Sequence, residues 1–331
     1  MKVAALVHMY PPLHNAGAEH MLHAMLSHMV KAGHEAVVVV QQLPKVKQVL
    51  EPYTLEGVRV TADWAALRGA DAILTHLDRT PEAEEYCLEH NICCVQLMHN
   101  HYRPGMARVC DLAVYNSEWL MQKAPAACPS MVLHPPVEVE RYKVERTGEY
   151  LTLINICPAK GARFFYWLAE LLPHYEFLAV RGAYGAQLMP SQRLSNVHVM
   201  ETQEDVREVY KLTRLLLMPS TYESYGRTAI EACVSGIPVI ANSTPGLVEA
   251  LGQAGVFPKN VQPSPHSLTA ELHRRNADVW IAAIREVEAH YSVYSRKAMR
   301  HAASLNPHEE MQRFTQVLQA VVNLKSAMRR T

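Results

Sequence analysis

The chain has 331 residues, of which 49% are apolar and 7% aromatic. A chain of this length is expected to form two domains, and its many Val, Ile, Leu and Ala residues are typical of α/β proteins. Its 32 basic and 32 acidic residues give a formal net charge of +0. This balance argues against strong non-specific binding to nucleic acid or to an anionic membrane.

Targeting and redox signals are also weak. The first apolar run, residues 3–7, is too short for a signal-peptide core and predicts a buried strand. No apolar run reaches the roughly 20 residues that a membrane span needs. The seven cysteines are scattered, with Cys93 and Cys94 adjacent and no C-x-x-C spacing. We therefore expect reduced thiols and a cytoplasmic protein.

Five of the eighteen histidines cluster around one predicted helix: His14, His20, His23, His28 and His34. Their spacing is not a zinc signature, although it leaves metal binding open. We expect a solvated helix face.

Strands and helices alternate along the first part of the chain. Residues 18–32 carry an apolar stripe typical of a half-buried helix, and Gly33 is a good C-terminal stop. The predicted strands are residues 2–8, 35–41, 71–76, 92–98, 111–116 and 131–134, and the predicted helices are residues 18–32, 81–90 and 117–123.

Pro135 and Pro136 interrupt this pattern, and the polar segment 137–150 is predicted to be a linker. The alternation then restarts. The predicted strands are residues 151–156, 176–181, 197–200, 215–219 and 238–241, and the predicted helices are residues 162–172, 203–212, 226–235 and 245–251. From Ser267 onward the chain is predicted to be helical, with Pro307 kinking or restarting a last helix that runs to about Met328. Alternation of this kind predicts parallel sheets covered on both faces, which bind ligands at the carboxyl ends of their strands.

The most informative segment is residues 219–236, where Glu223 and Glu231 stand eight positions apart. Glu223 lies in a loop after a predicted strand, and Glu231 lies inside the following helix. A strand, a turn containing glycine and a helix N-terminus form a cradle for phosphate, because free N–H groups and the helix dipole point at it. A carboxylate farther along the helix can accept two hydrogen bonds from a sugar diol. This combination indicates a site for a nucleotide diphosphate that carries a sugar.

With these residues identified, the chain resembles the retaining glycosyltransferases of family 4, which have the GT-B fold. The resemblance covers nearly the whole chain, and its most specific part is the E-x7-E element within residues 219–236. Further matches, in the family's order, are residues 16–19, 133–142, 155–161, 177–182, 238–241 and 246–249. The resemblance implies an α/β protein with two doubly wound Rossmann-like domains facing a central cleft.

The resemblance also implies how the domains divide the work. Residues 1–136 would bind the acceptor, residues 137–306 would bind the nucleotide-sugar donor, and residues 307–331 would form a helix that packs back toward the N-terminal domain. The sugar would move to an acceptor hydroxyl with retention at the anomeric carbon. The donor would be a UDP- or GDP-sugar, since the sequence does not choose between the two bases.

Site residues follow from the motif positions. Lys160 would neutralise the leaving diphosphate, and Glu223 would contact the donor sugar. Glu231 would accept hydrogen bonds from the ribose hydroxyls. His99 matches the family's active-site histidine and would contact the donor sugar or orient the acceptor, although the run His99-Asn100-His101 also admits metal ligation. The remaining donor-binding candidates are Gly17, Asn155, Arg181, Ser224, Tyr225, Gly226, Arg227 and Thr228.

Asn155 departs from the family pattern, which has an arginine at this position. An amide donates hydrogen bonds but carries no charge. Arg163 or Arg181 could supply the missing guanidinium, or the diphosphate could be held less tightly. We favour Arg181 because it also ends a predicted strand. Glu19 and Ser117 are interpreted as structural, Ser117 as a helix cap.

No D-x-D triplet is present in the sequence, so we expect no required metal and no other cofactor. The family then implies a front-face substitution, in which the acceptor hydroxyl attacks from the side that the diphosphate leaves. Alternatives that remain open are an epimerase or phosphorylase of the same fold, a nucleotide-sugar-binding module without catalysis, and a glycosyltransferase acting on a modified nucleic-acid base. The neutral charge disfavours the last of these. The lack of a basic amphipathic helix favours a soluble acceptor.

Overall fold

The computed structural model describes residues 1–41, 50–101, 110–259 and 270–328. The chain divides into two compact units. Unit 1 comprises Met1–Pro136 and Pro307–Thr331, and unit 2 comprises Val137–Asn306. None of the helices in the described ranges is long and apolar enough to cross a membrane.

Unit 1 contains an eight-stranded sheet. Its strands are β1 (Lys2–Val7), β2 (Glu35–Val40), β3 (Tyr53–Leu55), β4 (Val58–Thr61), β5 (Ala72–Thr75), β6 (Cys93–Met98), β7 (Leu112–Tyr115) and β8 (Ser130–Val132). They are ordered β3-β4-β2-β1-β5-β6-β7-β8. All neighbours pair in parallel except β3 and β4, which form an antiparallel edge. The central strands β1 and β6 are buried except at Lys2, because helices cover both faces of a parallel sheet.

The described residues of this unit form the α-helices α1 (Gly17–Lys31), α2 (Thr80–His90), α3 (Glu118–Lys123) and α11 (Pro307–Met328). Short 3₁₀ turns cover Trp64–Leu67 and Leu77–Arg79. The apolar stripe of α1 packs into one core with Phe314 and Leu318 of α11. Polar contacts also hold α11 in place, since Glu310 accepts hydrogen bonds from both the backbone and the ring of His134, at 2.8 and 2.9 Å.

Unit 2 contains a five-stranded, fully parallel sheet in the order β11-β10-β9-β12-β13. Its strands are β9 (Tyr150–Ile154), β10 (Phe177–Val180), β11 (Val197–Met200), β12 (Thr213–Met218) and β13 (Val239–Ala241). Its α-helices are α4 (Val139–Tyr142), α5 (Ala162–Leu171), α6 (Arg207–Leu212), α7 (Arg227–Val234), α8 (Pro245–Leu251), α9 (Ala270–Ala289) and α10 (Tyr291–Ser304), and 3₁₀ turns cover Pro158–Lys160 and Gly252–Ala254. One core lies around Phe165, Phe177 and Trp280, and another joins α7 to α8 and α10.

The prediction of two parallel α/β sheets is confirmed, with local corrections. The segment 137–150 is not simply a polar linker, because it contains α4 and buries Val137 and Tyr142 in the core of unit 2. The helix predicted over residues 203–212 begins only at Arg207. The antiparallel strands β3 and β4 were not predicted. Ser267 lies outside the described residues, and the described helix begins at Ala270.

The expected solvated histidine face is also wrong for His23. This residue is 1% exposed, and its Nδ1 lies 2.9 Å from the hydroxyl of Tyr10. The position of His23 is explained by the apolar stripe of α1, because it lies between Leu22 and Met25 on the side that packs on the sheet.

Candidate active site

The strand order of unit 2 reverses between β9 and β12. Ligands of open α/β sheets bind outside the carboxyl ends of the strands at such a reversal. The loop after β9 carries Asn155 and Lys160, and the loop after β12 carries Glu223 and leads into α7. The topology therefore brings the sequence-predicted residues of unit 2 to one edge of the sheet.

These two loops are fixed to each other. The backbone N–H and the hydroxyl of Thr221 both donate to the carbonyl oxygen of Ala159, at 2.9 and 3.2 Å. Gly161 has a φ of +83°, and a Cβ at this position would lie 2.4 Å from the carbonyl oxygen of Pro219. Only glycine permits both the backbone conformation and this close approach.

Lys160 and Glu223 form an ion pair across the loops. Lys160 Nζ lies 2.5 Å from Glu223 Oε1, and the Ser220 hydroxyl donates to the same oxygen at 2.9 Å. The Lys160 and Glu223 side chains are 17% and 10% exposed. Burial acts to lower the pKa of Lys160, but the charges of Glu223 and Tyr184 and their hydrogen bonds outweigh it and raise that pKa above its usual value. Lys160 is therefore a buried ammonium at neutral pH.

The turn from Ser224 to Gly226 leads into the N-terminus of α7, whose first residues are Arg227 and Thr228. Gly226 precedes the helix with a φ of +118°, and a Cβ there would lie 2.6 Å from Leu247 Cδ2. Gly246, at the start of α8, packs against the backbone of Glu223: a Cβ on Gly246 would lie 2.3 Å from the Glu223 carbonyl oxygen. The backbone next to Glu223 is therefore held by close packing of α8 against it.

Glu231 is buried on α7, and both of its carboxylate oxygens have protein partners. Oε1 lies 2.7 Å from Arg227 Nη1, and Oε2 accepts from the Tyr210 hydroxyl at 2.7 Å. Arg227 also donates to the hydroxyl of Tyr142. Burial raises the pKa of Tyr210 well above its ordinary value, so this hydroxyl keeps its proton. Each carboxylate oxygen has two lone pairs, so Glu231 can still accept from a ligand.

The sequence reasoning did not find Tyr142 and Tyr210. Tyr142 lies in the segment predicted to be a linker, and Tyr210 lies on the helix predicted over residues 203–212. Tyr142 was marked only as the last residue of the family match over residues 133–142 and as an aromatic residue in a polar segment.

Asn155 and Arg181 have different surroundings. Asn155 is 5% exposed, and Gln187 Nε2 donates to its Oδ1 at 3.0 Å. Arg181 Nη1 donates to both carboxylate oxygens of Glu201, at 3.1 and 3.0 Å, and the Arg181 side chain is 41% exposed. The guanidinium of Arg181 thus already has an acidic partner on the surface, and its role in donor binding stays a prediction.

Unit 1 has a comparable reversal of strand order between β1 and β5. His8 follows β1, His76 follows β5 and His99 follows β6. The ring centroids of His8 and His76 are 6.1 Å apart, and those of His76 and His99 are 5.3 Å apart. Glu19 of α1 lies in the same cluster, with His14 Nδ1 at 3.4 Å from its Oε1. The structure thus brings four histidines and one carboxylate to the carboxyl edge of this sheet.

Burial controls the charge of this cluster. It lowers the pKa of His76 to about 3 and that of His99 to about 4. Burial opposes ionisation of Glu19, but the hydrogen bond from His14 and the nearby His76 lower the pKa of Glu19 to about 2. At neutral pH His76 and His99 are therefore neutral imidazoles, and the Glu19 carboxylate is ionised.

The sequence reasoning selected only His99 from this cluster and interpreted Glu19 as structural. His8 and His76 each come directly after an apolar strand, as His99 does, and this shared position was the signal that could have found them. Gly17 is the first residue of α1, and a Cβ there would meet nothing within 4 Å. Ser117 caps α3 as predicted, accepting from the Leu120 N–H at 3.1 Å. No group of three or more His, Cys, Asp or Glu residues is arranged to hold a metal ion within the described ranges.

Comparison with known proteins shows similarity to glycosyltransferases. The profile described as "Family 4 Glycosyltransferase in conflict systems" matches residues 186–317. The D-inositol 3-phosphate glycosyltransferase of Mycobacteroides abscessus is 29% identical over 165 residues, which cover 46% of this chain and 34% of that protein. Both matches indicate similarity to the glycosyltransferases of family 4. The protein of the same name from Streptomyces bingchenggensis is 39% identical over 79 residues, covering 23% of this chain and 17% of that protein. The matched segments thus span about a third or less of these curated relatives.

Solved structures show that the chain has the GT-B fold. The structure of the Anabaena protein HepE in complex with UDP-glucose superposes with a TM-score of 0.73 at 14% sequence identity. The match covers 97% of this chain and 100% of HepE. The sucrose-phosphate synthase of Thermosynechococcus elongatus is 13% identical, with a TM-score of 0.72, 98% of this chain covered and 100% of that one.

Proposed function

We propose that this chain transfers a sugar from a nucleotide-diphosphate sugar to an acceptor hydroxyl, with retention at the anomeric carbon and without a metal ion. The observation that carries this proposal is the Lys160–Glu223 pair at 2.5 Å, on two loops that meet at the reversal of strand order in unit 2. A buried ammonium beside a helix N-terminus is suited to a diphosphate leaving group.

Donor binding is assigned to unit 2. The diphosphate would contact Lys160 and the backbone N–H groups of residues 224–228, and Glu231 would accept from the ribose hydroxyls. Glu223 would exchange its contact with Lys160 for one with the donor sugar, because the diphosphate competes for the ammonium. A donor with uridine is favoured by the UDP-glucose in the HepE complex, and a GDP-sugar is the alternative.

A front-face mechanism accounts for retention with these residues. The acceptor oxygen forms a bond to the anomeric carbon on the face from which the diphosphate oxygen departs. The acceptor proton passes to a β-phosphate oxygen of the leaving group, so no protein nucleophile is required. Lys160 and the N-terminus of α7 stabilise the negative charge that develops on the diphosphate, which is the role a divalent metal has in other transferases.

Acceptor binding is assigned to unit 1, with His99 contacting the donor sugar or the acceptor hydroxyl and Gly17 leaving room for close approach of a ligand. Neutral imidazoles suit this task, because each offers one donor and one acceptor to a hydroxyl. We assign the reaction to the cytoplasm on the basis of the seven cysteines, which all lie in described residues and form no disulfide.

A thermal-shift screen followed by a transfer assay tests the proposal. Nucleotide diphosphates and their sugars are screened first, and the correct donor should stabilise the fold by about 2.7 kcal/mol at a hundredfold excess over its dissociation constant. Radiolabelled donor is then incubated with candidate acceptors, and the anomeric configuration of the product is read by proton NMR. An inverted product would refute the retaining mechanism, and donor binding without transfer to any acceptor would favour a binding module.

A further inference from the structure

We propose that Gln187 is a positioning residue of the donor site. It orients the Asn155 amide so that Nδ2 donates a hydrogen bond to an oxygen of the bound diphosphate. This inference rests on the proposed function, and it explains how the site operates with an amide at the position of the family arginine.

The orientation of the Gln187 amide is fixed by backbone partners. The Gly182 N–H donates to Gln187 Oε1 at 2.8 Å, and Gln187 Nε2 faces the carbonyl oxygens of Tyr184 at 2.9 Å and Gly185 at 3.1 Å. A backbone N–H can only donate and a carbonyl oxygen can only accept. The two ends of the Gln187 amide therefore cannot be exchanged without loss of these hydrogen bonds.

This orientation determines that of Asn155. Because Gln187 Nε2 donates at 3.0 Å, the Asn155 atom that faces it must be the acceptor Oδ1. Asn155 Nδ2 must then point away from Gln187. Nδ2 is buried and has no hydrogen-bond partner in the part of the chain that the structure describes. A buried donor without a partner is unfavourable, so this group is suited to an acceptor supplied by a ligand.

The local backbone explains why an asparagine stands here. Asn155 has a φ of +70°, in the left-handed region that asparagine tolerates better than most residues with a side chain. A Cβ on Gly182 would lie 2.2 Å from Asn155 Cγ, so the amide fills the space above this glycine. Asn155 directly follows β9, and Lys160 lies on the same loop. The Asn155 Nδ2 group donates hydrogen bonds and needs an acceptor, and an ionised phosphate oxygen is such an acceptor.

The test is a Gln187→Glu substitution, which is nearly isosteric. Glutamate can still accept from the Gly182 N–H, but it cannot donate to Asn155 Oδ1. The Asn155 amide should then turn its Nδ2 toward the introduced carboxylate and present Oδ1 to the diphosphate. UDP and GDP are titrated calorimetrically, and we expect the dissociation constant of the nucleotide that binds wild type to rise at least tenfold.

A double-mutant cycle with Asn155→Ala separates positioning from charge and from general damage. In the Asn155→Ala background, Gln187→Glu should change the dissociation constant by less than twofold. An equal effect in both backgrounds would overturn the inference, because Gln187 would then act through its new charge or through the fold. If wild type binds neither nucleotide, the proposed function falls and this inference falls with it.

Side-chain NMR of the wild-type chain gives a readout that does not depend on the folding of variants. The Asn155 Nδ2 amide signals, assigned by their loss in Asn155→Ala, should shift on addition of the nucleotide that binds. Unchanged signals at saturating nucleotide would contradict a hydrogen bond from Nδ2.

Discussion

Replacement of Lys160 by methionine should destabilise the chain even when no donor is present. Methionine keeps the length of the side chain but removes its charge. The Glu223 side chain is 10% exposed, and of its contacts with Lys160 and Ser220 only the hydrogen bond from the Ser220 hydroxyl would remain. Removal of one member of a buried ion pair costs about 3–5 kcal/mol. The Ser220 hydrogen bond remains, so we expect the lower end of this range.

A loss of about 3 kcal/mol lowers the melting temperature by roughly 6–12 °C in a domain of this size. The assay is thermal and urea unfolding of the nucleotide-free protein, with Glu223→Gln and the Lys160→Met/Glu223→Gln double variant measured beside the single one. The double variant removes both charges and should recover most of the lost stability.

The melting temperatures of these variants also distinguish a structural role of Lys160 from a purely catalytic one. If Lys160 contributed only to turnover, the nucleotide-free Lys160→Met protein would melt within about 1 °C of wild type. That result, or a double variant no more stable than Lys160→Met, would refute the argument that a buried ion pair links the two loops.

Three further predictions concern other parts of the chain. Burial lowers the pKa of His76 to about 3 and that of His99 to about 4. Below pH 6.5 the unfolded chain binds protons at these histidines and the folded chain does not, so the free energy of unfolding should fall by about 1.4 kcal/mol per pH unit for each histidine as the pH drops toward 4. His76→Gln should therefore make the free energy of urea unfolding less dependent on pH. Glu231→Gln should weaken binding of UDP about tenfold, about 1.4 kcal/mol, but change binding of 2′,3′-dideoxy-UDP little; an equal calorimetric loss for both would exclude a ribose contact. Gly161→Ala should lower the melting temperature more than Gly33→Ala, because both have a positive φ but only at Gly161 would a Cβ strike a backbone atom, at 2.4 Å; equal shifts would contradict this.

The sequence predicted most of the sheet strands because each is a short apolar run bounded by turn residues. The exceptions are β3 and β4, which are short and mix polar with apolar residues. Their two-residue connection, Glu56-Gly57, has positive φ at both positions, as a type I′ turn requires. A type I′ turn is usually recognised by Asn or Asp before the glycine, and here the preceding residue is Glu56. The hairpin of β3 and β4 could therefore not be predicted from the sequence.

The site was predictable in its residue positions but not in its contacts. The spacing of Glu223 and Glu231 identified the motif, whereas their partners Lys160 and Tyr210 lie 63 and 21 positions away. Contacts at such separations depend on strand order, and strand order is not encoded by local periodicity. The same reason explains why His76 was missed, although its ring lies 5.3 Å from that of His99.

A crystal structure with bound donor tests the central claim most directly. The chain is soaked with the nucleotide sugar that stabilises it most in the thermal screen. We predict that its diphosphate oxygens lie about 2.7–3.2 Å from Lys160 Nζ and from N–H groups at the start of α7, with Glu223 turned toward the sugar. A diphosphate bound elsewhere, with the Lys160–Glu223 pair still closed, would contradict the account.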